Sequence, residues 1–561
     1  MILYDGEEAY YFNFQEYAHF TIDPNAILPQ AWISRMQSAF DSPGVLFGHN
    51  LIFDLHFLLK EGLTLPKRTL WCTEVGARIQ YNDHLSYSLE NCGKRMGTEK
   101  SDAVKEYMDK HKLFTIKATP GKKTKRKNYH FNQVPIDIIF PYGEQDAKVC
   151  YALGMDQASS FQQMDNSTIG APPINNIVTN EQALTRVLVG MQQHGIRLDV
   201  QYCDQALQHE RVRAFSSAAE YRKLTGIPLI DSAKSLSPIL EAHGILPGRT
   251  IKGGVSVAED ILLPHYETNS VAKAVLDHRD AMKRSSTYWQ NYIDLVGKDG
   301  RVHAWLRQAG TATGRFGCRE PNLQNLTKED NSIFPIRRAF VPDEGEFLVS
   351  IDYAQMEYRL MLDYAQEKEV VEQVRGGMDV HEACAQMMGI SRQEAKTINF
   401  ALLYGAGAGK LAVALGISLR KAQELKAQYF RNLPRIRHFI QSVMSTGERR
   451  KYVFNWMGRR SFFPESKFVF KAPNYLIQGG CADIIKKAMV DIAKFLEGKR
   501  TRMLINVHDE LLFSVPEREK TLVPELSSLM KRAYTPRSLP MECSVCWSNK
   551  SWHDLKDGIP E

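Results

Sequence analysis

Phe347-Leu-Val-Ser-Ile-Asp352 is an apolar run closed by a carboxylate, with a helix pattern opening near Gln355. It predicts a buried strand whose last residue stands where the chain turns into a helix. Hard divalent cations take oxygen ligands and keep some of their water, so an Asp at a strand end beside a cleft suits one. A plain helix cap is the ordinary alternative. Asn506-Val-His-Asp509-Glu510 lies between Met503-Leu-Ile and Leu511-Leu-Phe-Ser-Val and predicts a β-hairpin with acids at its tip. Solvent at a tip can screen such acids. A cation shared between Asp509 and Asp352 would instead offset their repulsion, and two carboxylates bridging two cations is the arrangement used for in-line phosphoryl displacement.

Two more segments carry chemistry. Ser391 and Glu394 form a capping-box pattern, and Arg392, Lys396, Phe400 and Tyr404 follow at fourfold spacing. In a helix each such step drifts by only about 40°, so the four share one stripe, cations first and aromatics after. The positive helix start with its two cations suits a triphosphate, and the rings suit a sugar and base. Thr311-Ala-Thr-Gly-Arg315-Phe-Gly317 and Pro321-Asn-Leu-Gln-Asn325 supply hydrogen-bond donors that fit the minor-groove acceptors of a base pair without choosing a sequence.

Outward from these segments the composition is that of a folded protein, 43% hydrophobic and 24% charged over 561 residues. Disordered and membrane classes are excluded on that basis, and at about 150 residues per domain three to four domains are implied. No apolar run reaches the roughly 18 residues of a bilayer span, and Met1-Ile-Leu-Tyr-Asp5 has no signal-peptide pattern, so a cytoplasmic protein is expected. The formal charge of +7 decides little. Lys122-Lys-Thr-Lys-Arg-Lys127, entered through Pro120-Gly121, reads as an exposed loop that either meets phosphates or is simply solvated. The nine cysteines are scattered and odd in number, as expected of reduced thiols. Cys543 and Cys546 have metal-ligand spacing, but zinc takes four ligands and no second pair exists, so they read as strand residues.

Asp352-Tyr-Ala-Gln-Met-Glu-Tyr-Arg359, Arg392-x3-Lys396-x3-Phe400-x3-Tyr404-Gly405 and His508-Asp-Glu510 resemble the three polymerase motifs of family A DNA polymerases. Thr311 to Arg315, Pro321 to Asn325, Ile336-Arg-Arg-Ala-Phe-Val-Pro342 and Ile477-Gln-Gly479 agree in order, so the resemblance covers residues 181 to 561. It implies an α+β right-hand fold with thumb, palm and fingers, acting on primer-template DNA and dNTPs with two Mg2+ ions, for which Mn2+ can substitute. It further implies Asp352 and Asp509 as metal ligands with Glu510 beside them. Arg392, Lys396 and His381 would hold the triphosphate, Tyr404 would stand near the templating position, and Gln355 would join the nucleotide site. Glu357 would block a ribose 2′-hydroxyl, and Phe400 in place of Tyr implies discrimination against dideoxynucleotides. Arg315, Asn325, Gln478, His508 and Asn474 would contact the primer-template. The short chain resembles phage replicative members more than bacterial repair ones, and a monomer is expected, with any replisome partner left open.

The N-terminal region resembles the α/β, RNase H-like proofreading exonuclease domain of the same family through Gly48-His-Asn50-Leu-Ile-Phe-Asp54 and Tyr142-x3-Asp146. That nuclease class uses an Asp-x-Glu pair on its first strand beside the residues matched by Asp54 and Asp146. Asp5-Gly-Glu7 has the spacing, yet between two apolar runs Asp-Gly reads as a hairpin turn. The expectation is a domain without its first strand, and an inactive nuclease. The domain division expected is 1–157 exonuclease-like, 158–180 linker, 181–299 thumb, 300–378 palm, 379–460 fingers and 461–561 palm again. Two other readings stay open: a single-subunit RNA polymerase, against which Glu357 argues, and a catalytically dead DNA-binding polymerase fold, against which Asp352 and Asp509 argue.

Overall fold

Strands β1 (Ile2–Tyr4) and β2 (Ala9–Tyr11) pair antiparallel, with Tyr4 opposite Ala9, in the hairpin expected around Asp5-Gly6. The structure, a computed structural model, describes residues 2–4, 6–7, 9–11, 30–98, 102–118, 125–167, 171–250 and 253–560. Asp5 lies outside the described residues; Gly6 has φ 113°, which a side-chain-bearing residue rarely adopts. Next comes a β-α-β unit: β3 (Val45–Gly48), helix α1 (Leu51–Lys60) and β4 (Thr69–Cys72), with the two strands parallel. Part of the predicted basic loop proves to be strand. Phe114–Ala118 and Lys125–Tyr129 form an antiparallel ribbon that includes residues 125–127, while 122–124 lie outside the described residues.

The segment 158–180, expected to be a linker, is largely helical: α2 runs Ile136–Ser167 and α3 runs Ile174–His194. The polar, Pro-containing run from Ser159 hides the period, but the buried stripe of α2 carries on into it. Leu153, Gln157 and Phe161 follow at fourfold spacing, all 4% exposed or less. The Gln157 amide is satisfied by accepting from Trp71 Nε1 at 2.9 Å and donating to the Thr73 carbonyl at 2.8 Å. A buried amide bonded on both sides is tolerated in a core, and Phe161 seats the next turn of the helix beyond it.

Helix α3 belongs to the main core, where Ile177, Leu184 and Leu188 are fully buried. The helical unit expected from 181 therefore begins with a helix seated in the body. Beyond it α4 (Val200–Thr225) packs along α5 (Ser270–Lys283), and a second core of Tyr221, Leu236, Leu240, Leu262, Val271 and Val275 forms between them and their loops.

The C-terminal half is built on one antiparallel sheet. Its strands are β5 (Glu346–Tyr353), β6 (Arg502–Val507), β7 (Glu510–Pro516), β8 (Cys543–Ser548) and β9 (Lys556–Asp557), in the order β6-β7-β5-β8-β9. Leu348, Val349, Ile351, Leu511, Leu512, Phe513 and Val515 are fully buried. That explains why β5 and β7 read as continuous apolar runs instead of alternating ones. Helix α6 (Met356–Ala365) follows β5, then α7 (Val380–Met388) and α8 (Arg392–Leu403), and α9 (Ala472–Phe495) packs against both α3 and α6. Cys543 and Cys546 both lie on β8 as free thiols. Among the described residues no helix is long and apolar enough to cross a membrane.

Candidate active site

Sheet register brings the acids together. Asp352 stands directly opposite Glu510, and Val507 pairs with Glu510, so His508 and Asp509 form a two-residue turn. His508 takes φ 59°, and the Tyr353 amide donates to the Asp509 carbonyl at 3.2 Å. Asn506 braces the turn from below: its Nδ2 donates to the carbonyls of His508 at 3.0 Å and Glu510 at 3.1 Å. The Gln324 amide in turn donates to the Asn506 carbonyl at 3.1 Å.

Glu510 is a buried anchor. Its Oε1 accepts from Ser350 Oγ at 2.6 Å and from Trp552 Nε1 at 3.2 Å, and its Oε2 lies 3.5 Å from Arg337 Nη1 and 3.8 Å from Lys328 Nζ. Lys328 also ion-pairs with Asp352 Oδ2, whereas the buried Asp352 Oδ1 has no partner. Burial raises the Asp352 carboxyl, against the pull of Lys328. Burial, and then the charge of Asp352, pushes Asp509 up to about 7. Two neighbouring acids whose carboxyls burial pushes up, one with an orphaned oxygen, are a donor set that a divalent cation would satisfy. Among the described residues no group of three or more His, Cys, Asp or Glu is arranged around an ion position. A cation here would thus take two aspartates and complete its shell with water or substrate oxygens, as Mg2+ does.

Helix α8 starts at the expected capping box: Ser391 Oγ accepts from the Glu394 amide at 3.2 Å, and Glu394 Oε2 accepts from the Ser391 amide at 2.9 Å. Ala395, Ile398, Asn399, Leu402 and Leu403 face inward, which leaves Arg392 and Lys396 exposed, Phe400 half-buried, and Tyr404 exposed as the C-cap. The rings of Phe400 and Tyr404 stack at 6.2 Å and 18°. Arg392 is held by Asp379, through Nε at 3.0 Å and Nη2 at 2.9 Å. Asp379 also caps α7 and accepts from Gln355. Burial would raise its carboxyl, but the bonds from Arg392 and Gln355 outweigh that and hold it low. His381 differs from expectation: it is 1% exposed, packed under Phe400, with Nδ1 against Asn399 Nδ2 at 3.0 Å. Burial brings its pKa down to about 4, so it is neutral and presents no surface to a phosphate in this geometry.

The Thr311–Gly317 loop joins the paired strands Trp305–Arg307 and Gly317–Arg319. Gly314 sits at φ 84°, where a Cβ would come within 2.7 Å of the Arg459 guanidinium. Arg459 belongs to a buried network: it bonds Glu181 and, at 2.7 Å, Asp483, and Lys486 Nζ reaches Glu181 at 2.7 Å. Resting on this network, the loop presents Arg315 to Glu357, whose other oxygen accepts from the Tyr404 hydroxyl at 2.7 Å. Gln478 lies beside the same phenol, while Asn474, one helical turn earlier on α9, has a buried amide oxygen without a hydrogen-bond partner.

A cleft of about 560 Å³ gathers Arg315, Asn325, Gln355, Glu357, Phe400, Tyr404, His508 and Asp509. A second, of about 380 Å³, is lined by Asn325, Lys328, Arg337, His508, Asp509 and Glu510, so the acidic turn divides the two. Sequence reading assigns no role to Lys328, Arg337, Ser350, Trp552 or Asp379. Only Asp379 has a local signal, the Asp379-x-x-Glu382 capping pattern. In the N-terminal region Asp54 lies exposed on α1 and Asp146 on α2, one turn after Tyr142. Both carboxylates are near enough to Cys150 to add to the burial that pushes its thiol up to about 12.

Residues 201–554 match the model of DNA polymerase family A. The chain belongs to that family. DNA polymerase I, thermostable, of Thermus aquaticus is 34% identical over 389 residues, 65% of this chain and 47% of that protein. DNA polymerase I of Chloroflexus aurantiacus is 29% identical over 540 residues, 90% of this chain and 55% of that protein. The chain spans about half the length of these relatives. The POL domain of Pol1 from M. smegmatis, solved with DNA primer-template and dNTP, shares its fold at a TM-score of 0.78 and 25% identity, over 95% of this chain and 90% of that one. The α+β right-hand polymerase architecture implied by the sequence motifs is thus the fold of this chain.

Proposed function

We propose that the chain is a template-directed DNA polymerase that extends a primer 3′ end by two-metal phosphoryl transfer. The observation that carries this reading is the register that sets Asp352 against the Asp509 turn at the edge of a cleft holding Glu357, Phe400 and Tyr404. Asp352 and Asp509 would hold two Mg2+ ions, with Mn2+ as a substitute. Such ions, when bound, polarise the phosphoryl group and stabilise the attacking and leaving oxygens. The protein's own residues supply position. Exposed Arg392 and Lys396 meet the triphosphate, Phe400 and Tyr404 pack against the sugar and base, and Arg315, Asn325 and His508 line the side of the cleft where a primer terminus enters.

Glu357 favours deoxynucleotides. Pinned between Arg315 and Tyr404, its carboxylate lines the cleft and would oppose a 2′-hydroxyl there. The test is extension of a primer-template with dNTPs or rNTPs, with Mg2+ or with chelator. Metal-dependent dNTP incorporation well above rNTP incorporation is expected. Comparable rNTP use would favour an RNA polymerase, and no incorporation by folded protein would favour a non-catalytic DNA-binding fold.

For the N-terminal region we propose an exonuclease-like domain that does not proofread. Asp54 and Asp146 match two positions of a four-carboxylate nuclease site, and Glu7 is an exposed residue between hairpin strands.

A further inference from the structure

In the N-terminal region the helices Thr73–Gln80 and Leu89–Arg95 are joined by a loop that reaches the polymerase half of the chain. The buried Tyr87 shapes this loop. Its hydroxyl donates to the Tyr81 carbonyl at 2.6 Å and accepts from the His84 amide at 3.1 Å, and the Arg78 guanidinium lies 4.2 Å over its ring. Asn82, held in that turn, uses both ends of its side-chain amide on the polymerase half. Nδ2 donates to the Ala312 carbonyl at 2.8 Å, and Oδ1 accepts from the Phe462 amide at 2.8 Å. Beside it the Tyr81 ring packs on Phe462 at 5.2 Å. The two partners need opposite chemistry, a donor for the carbonyl and an acceptor for the N–H, and one amide supplies both.

Those two partners belong to one structural unit. Ala312 lies in the Thr311–Gly317 loop that carries Arg315, and Phe462 ends the strand Arg460–Phe462, which follows the Arg459 side chain that Gly314 packs against. Asn82 therefore clips the loop to its own support. It does so where the loop is lightest, since Thr311 and Ala312 are small and exposed while Thr313 and Phe316 are buried further on. A second tie lies at the foot of the loop: the buried Glu74 pairs with Arg307, which stands opposite Gly317 in the strand pair that the loop joins. A contact between two domains can serve their docking and nothing else. Here a shift of Ala312 would pass along the loop to Arg315, whose guanidinium pairs with Glu357 in the cleft, and misplacing a positioning group by about 1 Å can cost on the order of a hundredfold in rate. Resting on the reading that Arg315 stands where a primer terminus enters, we propose that Asn82 is a positioning residue for the polymerase site: from the exonuclease-like region it holds the Arg315 loop in place against the primer end. The N-terminal region thereby serves primer extension through a contact separate from Asp54 and Asp146.

The test compares the full chain with Asn82→Ala, Asn82→Asp and Leu85→Ala, the last at a fully exposed position of the same loop. Asn82→Asp keeps the size and the acceptor for Phe462 but removes the donor to Ala312, and it carries the comparison if Asn82→Ala lowers Tm. Each protein is assayed for single-turnover extension of matched and mismatched primer ends with Mg2+, and for hydrogen exchange in peptides spanning Gly310–Gly317. Both Asn82 variants should lose roughly three- to tenfold of the preference for the matched end, the scale of one or two hydrogen bonds. Exchange across Gly310–Gly317 should quicken by a similar factor, and Leu85→Ala should match the parent in both measurements. In an Arg315→Ala background the further loss of preference should vanish, because Asn82 acts through Arg315, whereas a general structural role would cost the same in both backgrounds. An unchanged preference in both Asn82 variants, or a loss that persists in full beside Arg315→Ala, would overturn the proposal and leave the polymerase reading in place. Failure of the parent chain to extend any primer would remove the polymerase reading. Quickened exchange confined to the Asn82 variants would then leave the clip standing, and unchanged exchange would remove it too.

Discussion

The two carboxylate pairs of this chain are held very differently. Asp352 and Asp509 stand at the ends of neighbouring strands of a five-stranded sheet, and ladder bonds, Asn506, Gln324 and the Glu510 anchor fix the turn between them. Among the described residues, Asp54 and Asp146 sit on separate helices beside a two-stranded parallel sheet. A metal site demands donors fixed to within a fraction of an ångström before the ion arrives, and the ladder bonds and side-chain braces around the Asp509 turn supply that rigidity. Matching residue types is insufficient for a metal site; the shell that holds them has to be present as well.

The largest effect that would break the comparison is on chemistry. Asp352→Ala or Asp509→Ala should lower single-turnover extension by about 10³-fold or more, since the ions supply several kcal/mol and each 1.36 kcal/mol is tenfold. Primer-template binding should stay largely intact, and Asp54→Ala should leave extension unchanged. Substantial extension in either palm variant would mean the metal site lies elsewhere.

Next in size is the buried network under the Arg315 loop. Asp483→Ala leaves Arg459 and Lys486 facing Glu181 alone in a dry interior, and chemical denaturation should show a loss of about 3–5 kcal/mol. A loss under about 1 kcal/mol would mean that water or relaxation compensates.

A smaller effect sharpens the electrostatics. The folded pKa of Asp509, about 7, lies above the 3.8 of an ordinary aspartate. The native state therefore binds more protons than the unfolded state between these values, and stability falls as pH rises through that window. Asp509→Asn removes the penalty, so it should raise Tm, more at pH 8 than at pH 5, while abolishing extension. A Tm gain independent of pH would show that the carboxylate is not under strain. In the intact protein without added metal, the same ionisation should make Mn2+ binding tighten as pH rises through about 7.

Legibility followed locality. The strand closed by Asp352, the acidic hairpin and the Ser391 capping box are short-range patterns, and all three form as the sequence implies. Lys328, Ser350, Arg337 and Trp552 converge on Asp352 and Glu510 from distant segments, and a single sequence holds no signal for that convergence. The segment 158–180 reads as a linker because it is polar and contains prolines, yet Phe161 within it is buried and the helix runs on to Ser167. His381 is a likeness at the level of motif that the packing under Phe400 turns inward.

The most direct test of the contrast is one reaction: the purified chain with Mg2+ on matched and mismatched primer ends, with and without dNTPs. The account predicts extension of the matched end and no 3′ trimming of either. Trimming that disappears in Asp54→Ala while extension persists would contradict it, because the N-terminal carboxylates would then form a working metal site.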